Sequence, residues 1–310
     1  MVVDLHVDLP WQVHFKKRKD TLPEGMARPD TLRAGGYGGL VMAIYLPDYL
    51  HDDGAHIEDA EAVYQTIVRL IGKNPIFLPL LSTQAQPGRV ATWLGIEGAG
   101  AFAADPPAID RFIDRGTRVI GPVHQKNSPL ASSATGERVS WGLTDVGKAL
   151  ARRVYQRGAL MDVSHCSDAA FDDVAAIAAE HRAPIVATHS NARALAPNPR
   201  NLTDDQLRAV ARSGGVAGLN LHSPFVARGA EATIADVVAQ VEHMVSVAGI
   251  EHVAVGSDFD GGIKPARGME DAAHFTDLAR ALRKRGMAEG DVLKVFSLNA
   301  LRVLAWRPAR

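Results

Sequence analysis

Short apolar runs alternate with amphipathic stretches along almost the whole chain. The strand-like runs are MVVDLHVD (1–8), GGLVMAIYLP (38–47), PIFLPL (75–80), ATWLGIEG (91–98) and TRVIGPVH (117–124), followed by GALMDVSH (158–165), APIVATHS (183–190), GGVAGLNLH (214–222) and EHVAVGSDFD (251–260). Most are continuously apolar rather than alternating, the pattern of strands covered on both faces of a parallel sheet. Between them, Ile57, Ala60, Val63, Ile67 and Leu70 recur at helical spacing and predict a helix over 57–71 with one buried stripe. Residues 234–248 repeat the device with Ile234, Val237, Val241, Met244 and Val245. Thr203 with Gln206 forms a capping box ahead of a further helix, which the glycines of LRAVARSGG close.

Eight or nine strand–helix repeats favour an α/β fold of the closed (β/α)8 TIM-barrel type over a doubly wound sheet. No G-x-G-x-x-G follows the first strand, which weighs further against a dinucleotide fold. No linker, repeat or low-complexity tract divides the chain, so residues 1–310 read as a single barrel domain.

Composition narrows the function classes. A net charge of −1 lacks the basic excess of a nucleic-acid binder, and the dense cluster Lys16-Lys17-Arg18-Lys19 reads as a solvated loop. The single cysteine, Cys166, excludes an internal disulfide framework, fits a reducing compartment and reads as an inert thiol. No apolar run reaches the ~20 residues of a membrane span, and residues 1–9 lack a signal-peptide pattern, so the chain is expected to be soluble and cytoplasmic.

In a barrel, reactive groups gather where strands end and the following loops begin. His6 and Asp8, Glu97, His124, His165, His189 and Asp258 all stand at the carboxyl ends of the apolar runs. Helix capping explains an occasional Asp there, but His is not a preferred cap and four of the seven are His. Imidazole and carboxylate without thiolate suit a catalytic Zn²⁺ or another divalent first-row ion. His6 and Asp8, at i and i+2 of a strand, leave the same face and can grip one ion. The set exceeds what one catalytic zinc takes and suffices for two ions if a carboxylate bridges them, with Glu97 the natural bridge. Such a pair could hold a hydroxide and polarise a carbonyl. A G-x-S-x-G elbow, H-E-x-x-H and a Walker A motif are all absent.

DLHVDLPWQ, LRAGGYGG, GIEGA, MDVSHCS, THSNARAL and GSDFDG together resemble the membrane dipeptidase (renal dipeptidase) family of metallopeptidases, within the amidohydrolase superfamily. The resemblance covers nearly the whole chain, and its H-x-D first strand differs from the H-x-H of most superfamily members. It implies a zinc-dependent dipeptidase with two Zn²⁺ per chain, accepting dipeptides that include some with a D-residue at the C-terminal position. By position it implies that His6 and Asp8 bind one zinc, His165 and His189 the other, and Glu97 both. Asp258 corresponds to the carboxylate that moves protons between water and leaving amine, His124 to a histidine that hydrogen-bonds the scissile carbonyl, and Arg200 to an arginine gripping the substrate's C-terminal carboxylate. Other members of the family often form homodimers, though no stretch here marks an interface.

Three departures touch the substrate pocket rather than the metal set. Gly100 of EGAGAF stands where many relatives carry histidine, Phe225 where a tyrosine is frequent, and VHQKNSPLASS lacks the usual signature beyond His124. They leave a second reading open, a hydrolase of the same superfamily acting on N-acyl amino acids, lactams or lactones. A non-enzymatic barrel is disfavoured because no ligand is missing.

Overall fold

The structure is a computed structural model that describes residues 1–51, 54–82, 86–137, 141–229 and 231–308. Eight parallel strands form its centre: β1 Val2–Val7, β2 Tyr37–Tyr45, β3 Ala91–Glu97, β4 Thr117–Gly121, β5 Leu160–Met161, β6 Val186–Ala187, β7 Val216–Leu219 and β8 Val253–Val255. Their hydrogen-bonded order is β5-β4-β3-β2-β1-β8-β7-β6. The remaining seam, between β5 and β6, is spanned by a bridge of Asp162 to Val186, in which Val163 N–H donates to the Val186 carbonyl at 2.9 Å. The expected (β/α)8 barrel is thus present, nearly closed and wrapped by helices.

The buried stripes form as the spacing predicts. The helix Ile57–Lys73 buries Ala60, Val63, Ile67 and Leu70, and its first turn is tied back where His56 N–H donates to Asp59 at 2.8 Å. The helix Ile234–Ala248 buries Val237, Val241 and Met244, while Ile234 and Val245 pack at its margin. Thr203 caps Asp204–Arg212 by accepting from Gln206 N–H, and the Gln206 side chain accepts from Thr203 N–H. A cap of this kind contributes roughly 1 kcal/mol.

The ninth apolar run is a correction. PIFLPL (75–80) adds no strand; Phe77 makes one isolated bridge to Val90. Pro75 and Pro79 lack amide protons, so the segment cannot sustain a ladder, although Ile76, Phe77 and Leu78 are buried. Apolar content alone did not separate a covering loop from a strand.

The long β2–β3 pairing runs in continuous register from Gly39↔Ala91 to Tyr45↔Glu97, which sets Tyr45 and Glu97 side by side at the strand ends. β5 and β6 are much shorter, with two residues each, and polar side chains take over the seam beyond them. The backbones there pack very closely. A Cβ at Gly256 or Gly218 would overlap the carbonyl oxygen of Thr188.

That contact gives a first prediction. Gly256→Ala should cost on the order of 3 kcal/mol, because backbone rather than a flexible side chain must yield. Gly290→Ala, in the helix Glu289–Leu293 with open space around it, should leave stability unchanged or slightly raised. Urea denaturation of the two variants beside the wild type checks both outcomes.

Candidate active site

β1 is buried along its length, and its alternation puts Asp4, His6 and Asp8 on one face. Asp4 is fully buried and accepts from Tyr37 Oη at 2.9 Å, Ser257 N–H at 2.9 Å and His6 N–H at 3.1 Å, tying the end of β1 to the loop after β8. His6 and Asp8 follow at the mouth, with His6 Nε2 3.3 Å from Asp8 Oδ2.

Glu97, the last residue of β3, is where the imidazoles meet. Its Oε1 lies 3.7 Å from His6 Nε2, 2.9 Å from His165 Nε2 and 3.5 Å from His189 Nε2. His165 and His189 stand in the loops beyond β5 and β6, their Nε2 atoms 3.0 Å apart. All five residues the sequence grouped together therefore converge. Donor atoms of His6, Glu97 and His189 lie within 4.8 Å of one another, as do those of Glu97, His124 and His165 and those of His6, Asp8 and Asp258.

Asp258 lies three residues past β8 in the left-handed region, at φ +64, and Asp260 repeats this at φ +66. Non-glycine residues hold such backbone only when their surroundings impose it. Here Asp258 N–H donates to the His6 carbonyl at 3.1 Å, and the Asp260 carboxylate accepts from Met26 and Ala27 N–H at 3.0 and 2.9 Å. The loop thereby turns the Asp258 carboxylate toward Asp8 and His6, where Asn220 Nδ2 donates to its Oδ2 at 3.0 Å.

His124 is ordered from behind. Its Nδ1 lies 3.1 Å from Asp48 Oδ2 and 3.3 Å from Tyr45 Oη, and its ring packs 4.4 Å from that of His165. Arg200 enters from the loop after β6 and is 4% exposed. Its guanidinium lies 5.6 Å from the Phe225 ring centroid, and both terminal nitrogens are buried without a hydrogen-bond partner.

These groups open on one cavity of about 440 Å³, lined by Asp8, Glu97, His124, His165, Arg200 and Asp258 and walled by Trp11, Tyr45, Tyr49, His222, Phe225 and Ile263. Phe225 occupies the wall as expected. Gly100 instead borders the neighbouring hollow with Asp48 and Lys126, outside the main cavity.

Burial governs the electrostatics. It pushes the Asp258 carboxyl up to about 7, with Asp8 and Glu97 adding to the shift and His6 and the Asn220 amide opposing it. Asp8 is raised for the same main reason. Burial and then neighbouring cationic groups hold His165 and His189 far below their usual range, so both imidazoles are neutral. At Glu97 burial is overcome by His6, His124 and His165, and the carboxylate stays ionised. Burial raises the Cys166 thiol, in keeping with an inert cysteine.

The donor set fits divalent cations. It combines neutral imidazole nitrogen with ionised carboxylate oxygen, and His6 Nε2 and Asp8 Oδ1 are buried without hydrogen-bond partners. Sequence reasoning missed Tyr45, Asp48, Thr188, Asp162 and Asn220, which orient these groups. Tyr45 ends β2, so a search of strand ends for any polar residue would have found it.

A histidine–carboxylate cluster at the carboxyl ends of barrel strands is the arrangement of a metal-dependent hydrolase. The membrane dipeptidase family (peptidase family M19) matches residues 1–307, and the chain belongs to that family of metallo-dipeptidases. It is 30% identical over 345 residues to the dipeptidase ataJ of Aspergillus terreus, covering 98% of this chain and 83% of that protein. Among solved structures, dipeptidase AC of family M19 is 27% identical with a TM-score of 0.88, covering 100% of this chain and 99% of that one. A metallo peptidase from Rhodobacter sphaeroides, solved with a phosphinate mimic of the dipeptide L-Ala-D-Ala, is also 27% identical with a TM-score of 0.88 over 98% of both chains. Among the described residues no helix is long and apolar enough to cross a membrane.

The raised Asp258 pKa makes a prediction for metal-free protein. The folded state holds a proton that the unfolded chain releases near the usual carboxylate pKa, so this contribution is full at low pH and is lost as pH rises toward 7. Asp258→Asn cannot ionise. In excess chelator its melting temperature should exceed that of the wild type at pH 8, and the difference should close by about pH 4, where the wild-type carboxyl is protonated. Thermal melts across pH decide it.

Proposed function

We propose that this chain is a dinuclear zinc dipeptidase that hydrolyses the amide bond of free dipeptides, including those with a D-residue at the C-terminal position. The carrying observation is the approach of His6, His165 and His189, from three separate strand ends, to one oxygen of Glu97. In this reading His6 and Asp8 hold one ion, His165 and His189 the other, and Glu97 is shared. Two divalent ions bound there would activate water and polarise the scissile carbonyl.

The protein's own groups do the rest. Arg200 lines the cavity and carries two buried, unpartnered terminal nitrogens, a planar fork that matches the C-terminal carboxylate of a short substrate. That carboxylate would offset the cost of the buried, unpaired guanidinium, so substrates extended at the C-terminus lose the contact. Glu97 and Asp48 raise the His124 pKa against the effect of burial, so its imidazolium gives Nδ1–H to Asp48 and can offer Nε2–H to the carbonyl oxygen as charge builds on it. Asp258, buried and titrating near 7, can take a proton from water and return one to the departing amine. The D-residue component follows the L-Ala-D-Ala mimic bound by the Rhodobacter sphaeroides relative.

Purified protein should contain about two zinc ions per chain and release amino acids from L,L- or L,D-dipeptides. Silence across such a library at full metal loading would overturn the reading, and preference for N-acylated over free-amine substrates would move the chain to the N-acyl amino acid class. Arg200→Met should lower kcat/KM about 100-fold, mainly through KM, with zinc content unchanged. Steady-state kinetics beside metal analysis measure both.

A further inference from the structure

We propose that Thr188 is a positioning residue whose one hydroxyl sets the tautomers of His6 and His189 together, with a polarity dictated by Asp162. The inference rests on the reading above in which these two histidines serve different ions.

Asp162, at the barrel seam, is surrounded by donors. Its Oδ1 accepts from Ser164 N–H at 3.0 Å, Ser164 Oγ at 2.6 Å and Thr188 N–H at 2.9 Å. Its Oδ2 meets the Thr188 hydroxyl at 2.5 Å, the short separation of a charge-assisted O–H···O⁻ bond. A carboxylate only accepts, so the single Thr188 hydroxyl proton is directed to Oδ2. The lone pairs on Thr188 Oγ1 are then the only hydrogen-bonding capacity left for its imidazole neighbours. Those are His189 Nδ1 at 2.8 Å and His6 Nδ1 at 3.5 Å. Both Nδ1 atoms must carry protons to bond there. In neutral His189 this leaves Nε2 with a free lone pair, whereas at His6, which Glu97 and Asp8 hold protonated against the effect of burial, Nε2 is freed once its second proton leaves. These are the atoms 3.5 and 3.7 Å from Glu97 Oε1.

The Ser164 hydroxyl, 3.1 Å from Thr188 Oγ1, does not disturb this, because it donates to Asp162 and accepts from His189 N–H at 3.0 Å. One hydroxyl thus couples a ligand on β1 to a ligand beyond β6, at the point where Asp162 and Val186 bridge the seam. His165 lies outside the device. Its Nδ1 is buried without a partner, so it serves as an internal control.

The test uses the full chain, metal-free and labelled with ¹⁵N-histidine, at alkaline pH where His6 has lost its second proton, and long-range ¹H–¹⁵N spectra there report the tautomer of each ring. Wild type and Thr188→Ser should show Nδ1–H at His6 and His189. The near-isosteric Thr188→Val should lose that preference at both, with His165 unchanged. Titrated with zinc, Thr188→Val should bind both ions some 10- to 100-fold more weakly, and Thr188→Ser should restore affinity. An Nε2–H tautomer at either histidine in the wild type overturns the proposal, as do wild-type tautomers and zinc affinities in Thr188→Val. A wild type that takes up no zinc defeats the dinuclear reading instead, while its tautomer spectrum still decides the hydrogen-bond polarity. Should Thr188→Val not fold, the wild-type and Thr188→Ser spectra carry the same decision.

Discussion

The rest of the structure depends on one electrostatic constraint: the barrel mouth packs carboxyl, imidazole and guanidinium groups together away from water. Asp8, Glu97 and Asp258 are buried around imidazoles, of which burial holds His165 and His189 neutral while nearby carboxylates raise His6 and His124 against the effect of burial. Ions cannot be desolvated at little cost unless they are paired. Without added cations, protons accommodate the buried carboxyl groups, and Asp258 titrates near 7 rather than near 4. A site that draws protons so strongly draws divalent cations for the same reason. His165 and His189 supply neutral donors, while His6 must give up a proton to a bound cation.

Such a cluster needs a scaffold whose own hydrogen bonds are already satisfied. Parallel strands supply it, because their main-chain groups are paired and their side chains at the carboxyl ends point into one mouth. Where ladder pairing runs short, at β5 and β6, side chains complete it. Asp162, Ser164 and Thr188 bond across the seam with distances between 2.5 and 3.1 Å. The shortness of those strands is therefore what admits a polar network directly behind two of the histidines. Two long apolar strands would have closed the seam with main-chain bonds and left no hydroxyl there.

The legible part of the site was the part written in local pattern. The i, i+2 spacing of His6 and Asp8 exposes a shared face, and histidines that interrupt apolar runs at their ends are conspicuous in a single sequence. Family resemblance then assigned roles, and Arg200 was reached only that way, since nothing local marks a loop arginine as buried. Tyr45, Asp48, Asp162 and Thr188 stayed hidden for a different reason. Each is an ordinary polar residue whose importance comes from a partner 79, 76, 26 or 182 positions away, among others. PIFLPL failed in the opposite sense, because burial writes the same apolar signature on a strand and on a loop packed over the core. Its two prolines were the available correction.

The cavity shows the same division between chemistry and recognition. The histidine–carboxylate cluster is held by main-chain ladders, the Asp4 knot and the seam network, so its geometry is over-determined. The opposite wall is built from Trp11, Tyr49, His222, Phe225 and Ile263, on the short helices and loops that follow strands. Tyr49 is 65% exposed and can be exchanged without touching the core, whereas no comparable change is open to Glu97 at 7%. Arg200 stands between the two regimes: buried like the cluster, yet carried by a loop that lines the cavity and left with both terminal nitrogens unpartnered. In the proposed function, a carboxylate delivered to those nitrogens would fix one end of a substrate, and the separation of Arg200 from Glu97 would then determine which bond falls over the cluster. Substrate length would in this way be set by the rigid half of the site, with side-chain preference left to the replaceable wall.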